Sequence, residues 1–365
     1  RAQESMGAAS SGEGCLPLRL LAGAASGGER SAGAHGAFSW EKLDSEPRDF
    51  FARKLQAKLC QFLRERGWCL LELPEPLRQR VLRMQDLAQD FFRRPREERC
   101  AMGRLRLYRD KVVGYRELGG GTARFLEVHA IAGSRGAIPA PRSPAGLTKL
   151  AAELHQAFQG MARALLTWLA EHIGVPSEAV LQSIDAASLE NLEDGDCSAS
   201  VLRLCSYGFE AEVQVDSEAH MDQSVFFDEH TDASFVTLAP VGSVPGLQFR
   251  DASRQELPWL DVESGLAQGQ HMVAFIGDFL EVLTKSAYTA ARHRVCCEGT
   301  GQQRLSMPFL VRGQPNQILD TRSYLQDGEL PLLRLEGLRY AELRQFLDLK
   351  GRKRFQEEAK AVRLL

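Results

Sequence analysis

Two histidines and one aspartate of this chain have the types and the order that a transition-metal site requires. His230, Thr231 and Asp232 form an HxD triplet, and His293 follows in a later segment. Two imidazoles and one carboxylate can bind one face of an iron(II) ion and leave the opposite positions open for a co-substrate and dioxygen. An HxD triplet is common by chance, so its interpretation depends on the residues around it.

A candidate carboxylate-binding pair follows the last histidine. Arg304 and Ser306 alternate within an apolar, strand-like stretch, so we expect their side chains on the same side of a strand. An arginine and a hydroxyl can hold a carboxylate through charge-assisted hydrogen bonds. Beside an iron site, this pair is typical of an oxygenase that uses a keto acid.

The segments around these residues predict β-strands. Residues 234–238 are apolar and β-branched, residues 244–249 resemble a turn that leads into a strand, and residues 272–278 resemble a buried strand that ends in a turn. We therefore expect the ligands to lie on different strands of one sheet system, with His230 and Asp232 alternating on a single strand.

The chain holds a second HxD triplet, His220-Met221-Asp222, ten residues before the first. Its neighbours are polar and acidic and have no strand periodicity, which predicts a solvated loop. His230, in contrast, lies between two apolar stretches. We therefore prefer the triplet that begins at His230.

These motifs, in this order, resemble those of the isopenicillin N synthase-like family of iron(II)/2-oxoglutarate dioxygenases. Residues 202–312 carry the resemblance, which comprises HTD, a threonine–leucine strand, PGLQ, a GD turn, HRV and RxS. Residues 202–207, LRLCSY, are similar to the family's LRLNxYP strand, although Cys205 replaces the asparagine. The segment 208–229 is longer and more acidic than the family pattern, and the substrate stays open.

The resemblance implies a role for each site residue. His230, Asp232 and His293 would bind Fe(II), while Arg304, Ser306 and Tyr207 would bind the far carboxylate of 2-oxoglutarate. Dioxygen would be the second co-substrate, and ascorbate would serve as a reductant.

The resemblance also implies a fold and a reaction. The fold would be mainly β with flanking helices (α+β), built on a double-stranded β-helix or jelly-roll core. The reaction would oxidise a small-molecule metabolite of secondary metabolism, by hydroxylation or desaturation, with release of succinate and CO2. Two alternatives stay open: a related iron oxygenase or oxidase that does not use 2-oxoglutarate, and a catalytically silent β-helix that acts as a binding module.

Length, charge and cysteine usage limit the class of protein. The 365 residues carry a net charge of −3, which argues against nucleic-acid binding through a general basic field. No apolar run is long enough to span a bilayer, and the eight cysteines lack paired spacing, as in a reduced intracellular protein. We expect a cytoplasmic monomer with a small-molecule substrate and no nucleic-acid or membrane partner. Import into an organelle stays open, because the chain begins with Arg1 rather than Met.

The chain divides into four predicted regions. Residues 1–40 are expected to be mostly flexible, with a short strand near 16–21, and residues 41–195 to brace the barrel with helices and strands. Residues 196–315 would form the β-helix core and residues 316–365 a helical tail. Apolar periodicity predicts helices at 49–66, 77–92, 147–173 and 176–192 and a strand at 67–71, while residues 112–115 resemble a family loop and residues 119–121 a flexible turn.

Overall fold

The architecture comes from a computed structural model of the chain. The residues that it describes are 16–17, 37–45, 49–102, 106–108, 111–118, 122–130, 137–138, 144–185, 197–208, 224–250, 259–297, 303–314, 316–319, 322, 337–340 and 342–343. Within these ranges, no helix is both long enough and apolar enough to cross a membrane.

The described part contains seven helices, six of which precede Val201, and a long series of strands. The helices are α1 (Trp40–Leu43), α2 (Phe50–Arg66), α3 (Glu75–Phe92), α4 (Arg96–Met102), α5 (Leu147–His172), α6 (Ser177–Ser183) and α7 (Asp278–Leu283). The strands are β1 (Leu16–Pro17), β2 (Ala37–Ser39), β3 (Trp68–Glu72), β4 (Arg106–Tyr108), β5 (Lys111–Leu118), β6 (Ala123–Ala130), β7 (Ala137–Ile138), β8 (Val201–Tyr207), β9 (Ser224–His230), β10 (Val236–Pro240), β11 (Leu247–Phe249), β12 (Leu260–Asp261), β13 (His271–Ile276), β14 (His293–Cys297), β15 (Arg304–Ser306) and β16 (Phe309–Leu310).

The strands form two sheets. The larger sheet has eleven strands in the main order β2-β3-β13-β10-β16-β8-β6-β5-β4, with β15 beside β8 and β7 beside β6, and the smaller sheet has the order β1-β12-β11-β14-β9. Only β1–β12 and β2–β3 pair in parallel among the described strands. The architecture is mainly β with flanking helices and a jelly-roll core, which confirms the predicted fold class.

Local signals explain where α2 begins and ends. The Asp49 carboxylate accepts a hydrogen bond of 2.9 Å from the backbone N–H of Phe51, which satisfies an otherwise free donor of the first turn. Gly67 has φ of 79°, and its N–H donates to the carbonyl of Leu63. Such a left-handed glycine commonly ends a helix, and β3 begins at the next residue.

The long helix α5 packs against the larger sheet. Its buried residues recur at helical spacing and include Leu154, Phe158 and Leu165. The rings of His155 and Phe158 both lie against Phe309 of β16, with centroid distances of 4.8 and 6.0 Å. One apolar face of α5 is thus buried on the side of the sheet away from β9 and β14.

Several elements differ from the sequence predictions. Residues 112–115 were expected to form a loop, but they lie within β5, which pairs with β6 in a regular antiparallel register. The helix predicted at 176–192 ends at Ser183 as α6, because Ile184 is extended and bridges Gly313. The predicted strand at 16–21 is described only as β1, while residues 119–121 and most of the predicted C-terminal helix lie outside the described residues.

Candidate active site

Three predicted metal ligands converge where the ends of two neighbouring strands meet. His230 is the last residue of β9 and His293 the first of β14, and the two are directly paired across the smaller sheet. Their Nε2 atoms lie 3.7 and 4.0 Å from Oδ1 of Asp232. The potential ligand atoms of all three side chains lie within 4.8 Å of one another.

Asp232 does not continue the strand of His230, which corrects the prediction that the two alternate on one strand. β9 ends at His230, and residues 231–235 form an irregular connection to β10. The N–H of Asp278 donates to the carbonyl of Asp232 over 2.8 Å. A Cβ on Gly277 would lie 2.2 Å from the carbonyl oxygen of Ser234. The glycine of the GD turn therefore permits the close approach that holds the aspartate loop.

Both histidines are oriented by backbone carbonyls. His230 Nδ1 lies 2.7 Å from the carbonyl oxygen of Asp228, and His293 Nδ1 lies 3.0 Å from that of Ala291. A carbonyl oxygen can only accept, so each neutral ring carries its proton on Nδ1 and presents a lone pair at Nε2. Two such lone pairs and one carboxylate form a donor set that fits a divalent iron.

The electrostatic surroundings keep the carboxylate ready to bind a cation. Burial alone would raise the pKa of Asp232, but His293, His230 and a hydrogen bond from Thr237 outweigh that effect and hold the pKa below its usual value. The charge of Arg203 acts in the same direction. An ionised carboxylate of this kind attracts a metal ion.

Aromatic rings cover the outer sides of the two imidazoles. The ring of Phe275 lies edge-on to His293 with a centroid distance of 4.8 Å, and Phe249 lies at 5.5 Å. Phe227 approaches His230 at 4.6 Å. These contacts fix the ring planes and limit the access of water from those directions.

The predicted carboxylate-binding residues line the same pocket as the three metal-ligand candidates. Arg304 on β15 and Tyr207 on β8 are directly opposite each other in the larger sheet, and Ser306 is paired with Cys205. Burial raises the pKa of the Cys205 thiol to about 11, and burial also raises the pKa of Tyr207 well above its usual value. Both groups are therefore neutral hydrogen-bonding partners at neutral pH.

The guanidinium of Arg304 also has partners within the chain. Nη2 contacts the carboxylate of Glu263 at 3.1 Å, and Nη1 donates to the carbonyl of Val244 over 3.0 Å. Nε is buried and has no hydrogen-bond partner among the described residues. A buried N–H without an acceptor is costly, and the arginine that carries it lines the pocket together with Ser306 and Tyr207. This part of the pocket therefore fits the far end of a dicarboxylic keto acid.

Three residues of the site were not identified from the sequence. Arg203 lines the pocket because it alternates with Cys205 and Tyr207 on β8, so strand periodicity could have revealed it. Phe275 has a similar signal on β13, where it precedes the GD turn. Glu263 has no local signal, because its contact with Arg304 joins distant parts of the chain. The alternative triplet at His220 lies outside the described residues.

A family comparison identifies the region that contains the site. The model of the 2OG-Fe(II) oxygenase superfamily matches residues 198–313. This range contains β8 to β16 and all six residues that were predicted to bind iron or 2-oxoglutarate. Proteins of this superfamily use Fe(II), 2-oxoglutarate and dioxygen, as expected for this donor set.

Curated relatives match over different lengths. The chain is 25% identical over 245 residues to gibberellin 2-beta-dioxygenase 4 of Arabidopsis thaliana, which covers 65% of this chain and 68% of that protein. It is 32% identical over 90 residues to 1-aminocyclopropane-1-carboxylate oxidase homolog 5 of the same plant. That match covers 25% of this chain, and this chain spans only 21% of the length of that relative.

Solved structures share the fold. A full-length protein of Neurospora crassa, solved in complex with alpha-KG, has a TM-score of 0.63 and 17% identity, covering 86% of this chain and 95% of that one. A 2OG-Fe(II) oxygenase family protein from Caulobacter crescentus has a TM-score of 0.62 and 19% identity, covering 86% and 98%. The family model therefore assigns residues 198–313 to the 2OG-Fe(II) oxygenase superfamily, and the solved structures share the fold of the chain around them.

Proposed function

We propose that this protein is an Fe(II)/2-oxoglutarate-dependent dioxygenase that hydroxylates a small-molecule metabolite and releases succinate and CO2. One observation carries the proposal: His230, Asp232 and His293 converge in a pocket that is also lined by the buried Arg304, Ser306 and Tyr207. A metal site and a carboxylate site in one pocket suit a keto acid that binds the metal with one end and the arginine with the other.

In this proposal, His230, Asp232 and His293 bind Fe(II) and keep the opposite side of the ion free. Bound iron would supply the activation of dioxygen, which amino-acid side chains cannot perform. Arg304, Ser306 and Tyr207 orient the keto acid by binding its far carboxylate. The buried rings of Phe249 and Phe275 exclude water beside the metal-binding face.

The substrate is further proposed to carry an anionic group, because a second arginine lies in the pocket on the metal side. Nε and Nη2 of Arg203 contact Oε1 of Glu127 at 2.9 and 2.7 Å. Arg116 also contacts Glu127, at 2.9 Å. Burial would raise the pKa of Glu127, but the two arginines outweigh it and lower the pKa, so the cluster contains two cations and one anion.

The expectations for the compartment, the oligomeric state and the reductant are also proposals. The protein would act as a cytoplasmic monomer, and ascorbate would keep the iron reduced. The cysteines support a reducing compartment, since Cys60, Cys69, Cys100, Cys197, Cys205 and Cys296 are free thiols. Light scattering coupled to gel filtration would test the oligomeric state.

The decisive experiment measures succinate and oxygen together. Purified protein with Fe(II) and 2-oxoglutarate is assayed with and without a metabolite extract, and extract-dependent succinate release is expected. His293→Ala should abolish this release, whereas His271→Ala, a half-buried histidine outside the pocket, should preserve it. Oxygen consumption without succinate would favour the iron oxygenase that does not use 2-oxoglutarate. If neither occurs although iron binds, the silent binding module becomes the better interpretation.

A further inference from the structure

A buried carboxylate lies against the arginine that we assign to the keto acid. Glu263 follows β12, and its side chain is 1% exposed, while that of Arg304 is 2% exposed. Both carboxylate oxygens of Glu263 lie 3.1 Å from Nη2 of Arg304. None of the sequence motifs that define the site contains this glutamate.

The backbone of the turn before β11 fixes Glu263. Its Oε1 accepts a hydrogen bond of 2.9 Å from Gly242 N–H, and its Oε2 accepts bonds of 3.0 and 2.9 Å from Gly246 and Leu247 N–H. The glutamate backbone is also held, because its N–H donates to Asp261 Oδ1 over 2.9 Å. The carboxylate therefore has one orientation, which the turn defines.

The same turn encloses the guanidinium. A Cβ on Gly242 would lie 1.7 Å from Nη1 of Arg304, and a Cβ on Gly246 would lie 3.0 Å from its Cδ. Nη1 donates to the carbonyl of Val244. Each terminal nitrogen of Arg304 thus has a partner in the chain, and Nε has none within the described ranges.

We propose that Glu263 is a positioning residue for 2-oxoglutarate, because it fixes the orientation of the Arg304 guanidinium that lines the pocket. This inference rests on the proposed function. The Glu263–Arg304 pair has no net charge, so it attracts anions in general less than a free guanidinium would. Recognition of the keto acid then depends on the positions of Arg304, Ser306 and Tyr207, whose hydrogen-bonding groups are directional.

Two substitutions of Glu263 separate the effect of its charge from the effect of its position. Glu263→Gln keeps the shape, but its amide NH2 cannot accept the N–H groups of Gly246 and Leu247, so the turn and Arg304 must shift. Glu263→Asp keeps the charge and retracts it by one methylene, so it also tests the proposal if the glutamine variant does not fold. The matched control is Glu281→Gln, a buried glutamate that accepts the N–H of Ala290 outside the pocket.

The measurements are calorimetric binding of 2-oxoglutarate to the anaerobic Fe(II) protein, iron stoichiometry, and the KM and kcat of succinate release. We expect both Glu263 variants to bind 2-oxoglutarate at least tenfold more weakly and to raise its KM equally. Iron stoichiometry and kcat at saturating 2-oxoglutarate should stay within about threefold of the parent. Combining Glu263→Gln with Arg304→Lys should weaken binding no further than the worse single variant, because both act through the same contact.

Three results would overturn the inference. Unchanged or tighter 2-oxoglutarate binding in the folded Glu263 variants would mean that the glutamate only stabilises the turn or competes with the keto acid. A tenfold loss in Glu281→Gln would mean that any buried glutamate has this effect. If the parent itself binds iron but no 2-oxoglutarate, the proposed function fails and this inference fails with it. If the parent binds 2-oxoglutarate, the variants test the role of Glu263 alone.

Discussion

Thr237 Oγ1 donates a hydrogen bond of 2.7 Å to Oδ2 of Asp232. Thr237 is buried on β10, and its hydroxyl also lies 3.0 Å from Ser234 Oγ. The bond occupies the carboxylate oxygen that does not face the histidines, since Oδ1 is the atom nearest both Nε2 atoms. The threonine of the threonine–leucine strand therefore orients the aspartate that we propose as an iron ligand.

Replacing Thr237 by valine should weaken iron binding while preserving the strand. Valine has the same shape and a high strand propensity, but it removes the donor to Asp232. Groups that orient a metal ligand typically contribute about 10- to 100-fold to metal affinity, so we expect the Kd of Fe(II) to rise at least tenfold in an anaerobic titration. Thr284→Val is the control, because the Thr284 hydroxyl donates to the carbonyl of Leu280 outside the pocket. Equal losses in both variants would contradict the orienting role.

Arg304→Lys should raise the KM for 2-oxoglutarate far more than the KM for the substrate. A lysine ammonium lacks the planar fork of the guanidinium and cannot reproduce its simultaneous contacts with Glu263 and Val244. The measurement is initial-rate succinate release with each of the two substrates varied in turn.

The control for Arg304→Lys is Arg99→Lys. Arg99 is also buried, but its Nε donates to the hydroxyl of Tyr115, outside the pocket. The expected KM for 2-oxoglutarate in this control is that of the parent. An unchanged dependence on 2-oxoglutarate in Arg304→Lys would favour an oxygenase that does not use the keto acid.

The parts of the site that sequence could predict are those with local signals. The HxD triplet, the later histidine and the RxS pair are short patterns, and their flanking apolar residues predict the strands that carry them. The fold class followed from the same motifs. The path of the chain at Asp232 could not be predicted from these motifs. Residues 231–235 depend on a hydrogen bond from Asp278 and on the close packing of Gly277.

Long-range contacts explain what the sequence could not predict. Glu263 is isolated among loop residues, and nothing near it in the chain indicates that its carboxylate meets Arg304. Residues 112–115 resembled a loop motif, but the register with β6 places Gly114 opposite Glu127 and Tyr115 opposite Leu126. Pairing with the next strand along the chain decided the conformation, which the loop motif alone does not encode.

The buried His155 should make the protein less stable as the pH falls below the ordinary pKa of a histidine. Burial lowers the pKa of His155 from 6.5 to about 4 in the folded state. The unfolded chain therefore binds a proton first, and the stabilising contribution is present above pH 6.5 and lost as the pH falls towards 4. The difference corresponds to about 3 kcal/mol in total, at most about 1.4 kcal/mol per pH unit.

The measurement is urea unfolding of the parent and of His155→Gln at about pH 7.5, 6 and 5, which span the shifted range. Glutamine does not titrate and retains an N–H donor for the carbonyl of Ser200, which lies 3.3 Å from His155 Nε2. The unfolding free energy of the parent should fall relative to that of the variant as the pH is lowered through this range. Parallel curves would mean that the imidazole is not held neutral in the fold.

The choice between the two HxD triplets can be tested directly. The double variant His220→Ala/Asp222→Ala removes the triplet that we assign to a solvated loop, so iron stoichiometry and succinate release should stay close to those of the parent. His230→Ala should instead lose bound iron and turnover, because a face of three ligands has no spare member. Thermal unfolding of each protein serves as the folding control, and iron is measured on the folded samples. If the double variant loses iron while His230→Ala retains it, the ligand strand must be moved back by ten residues, and the convergence of His230, Asp232 and His293 would have a purely structural cause.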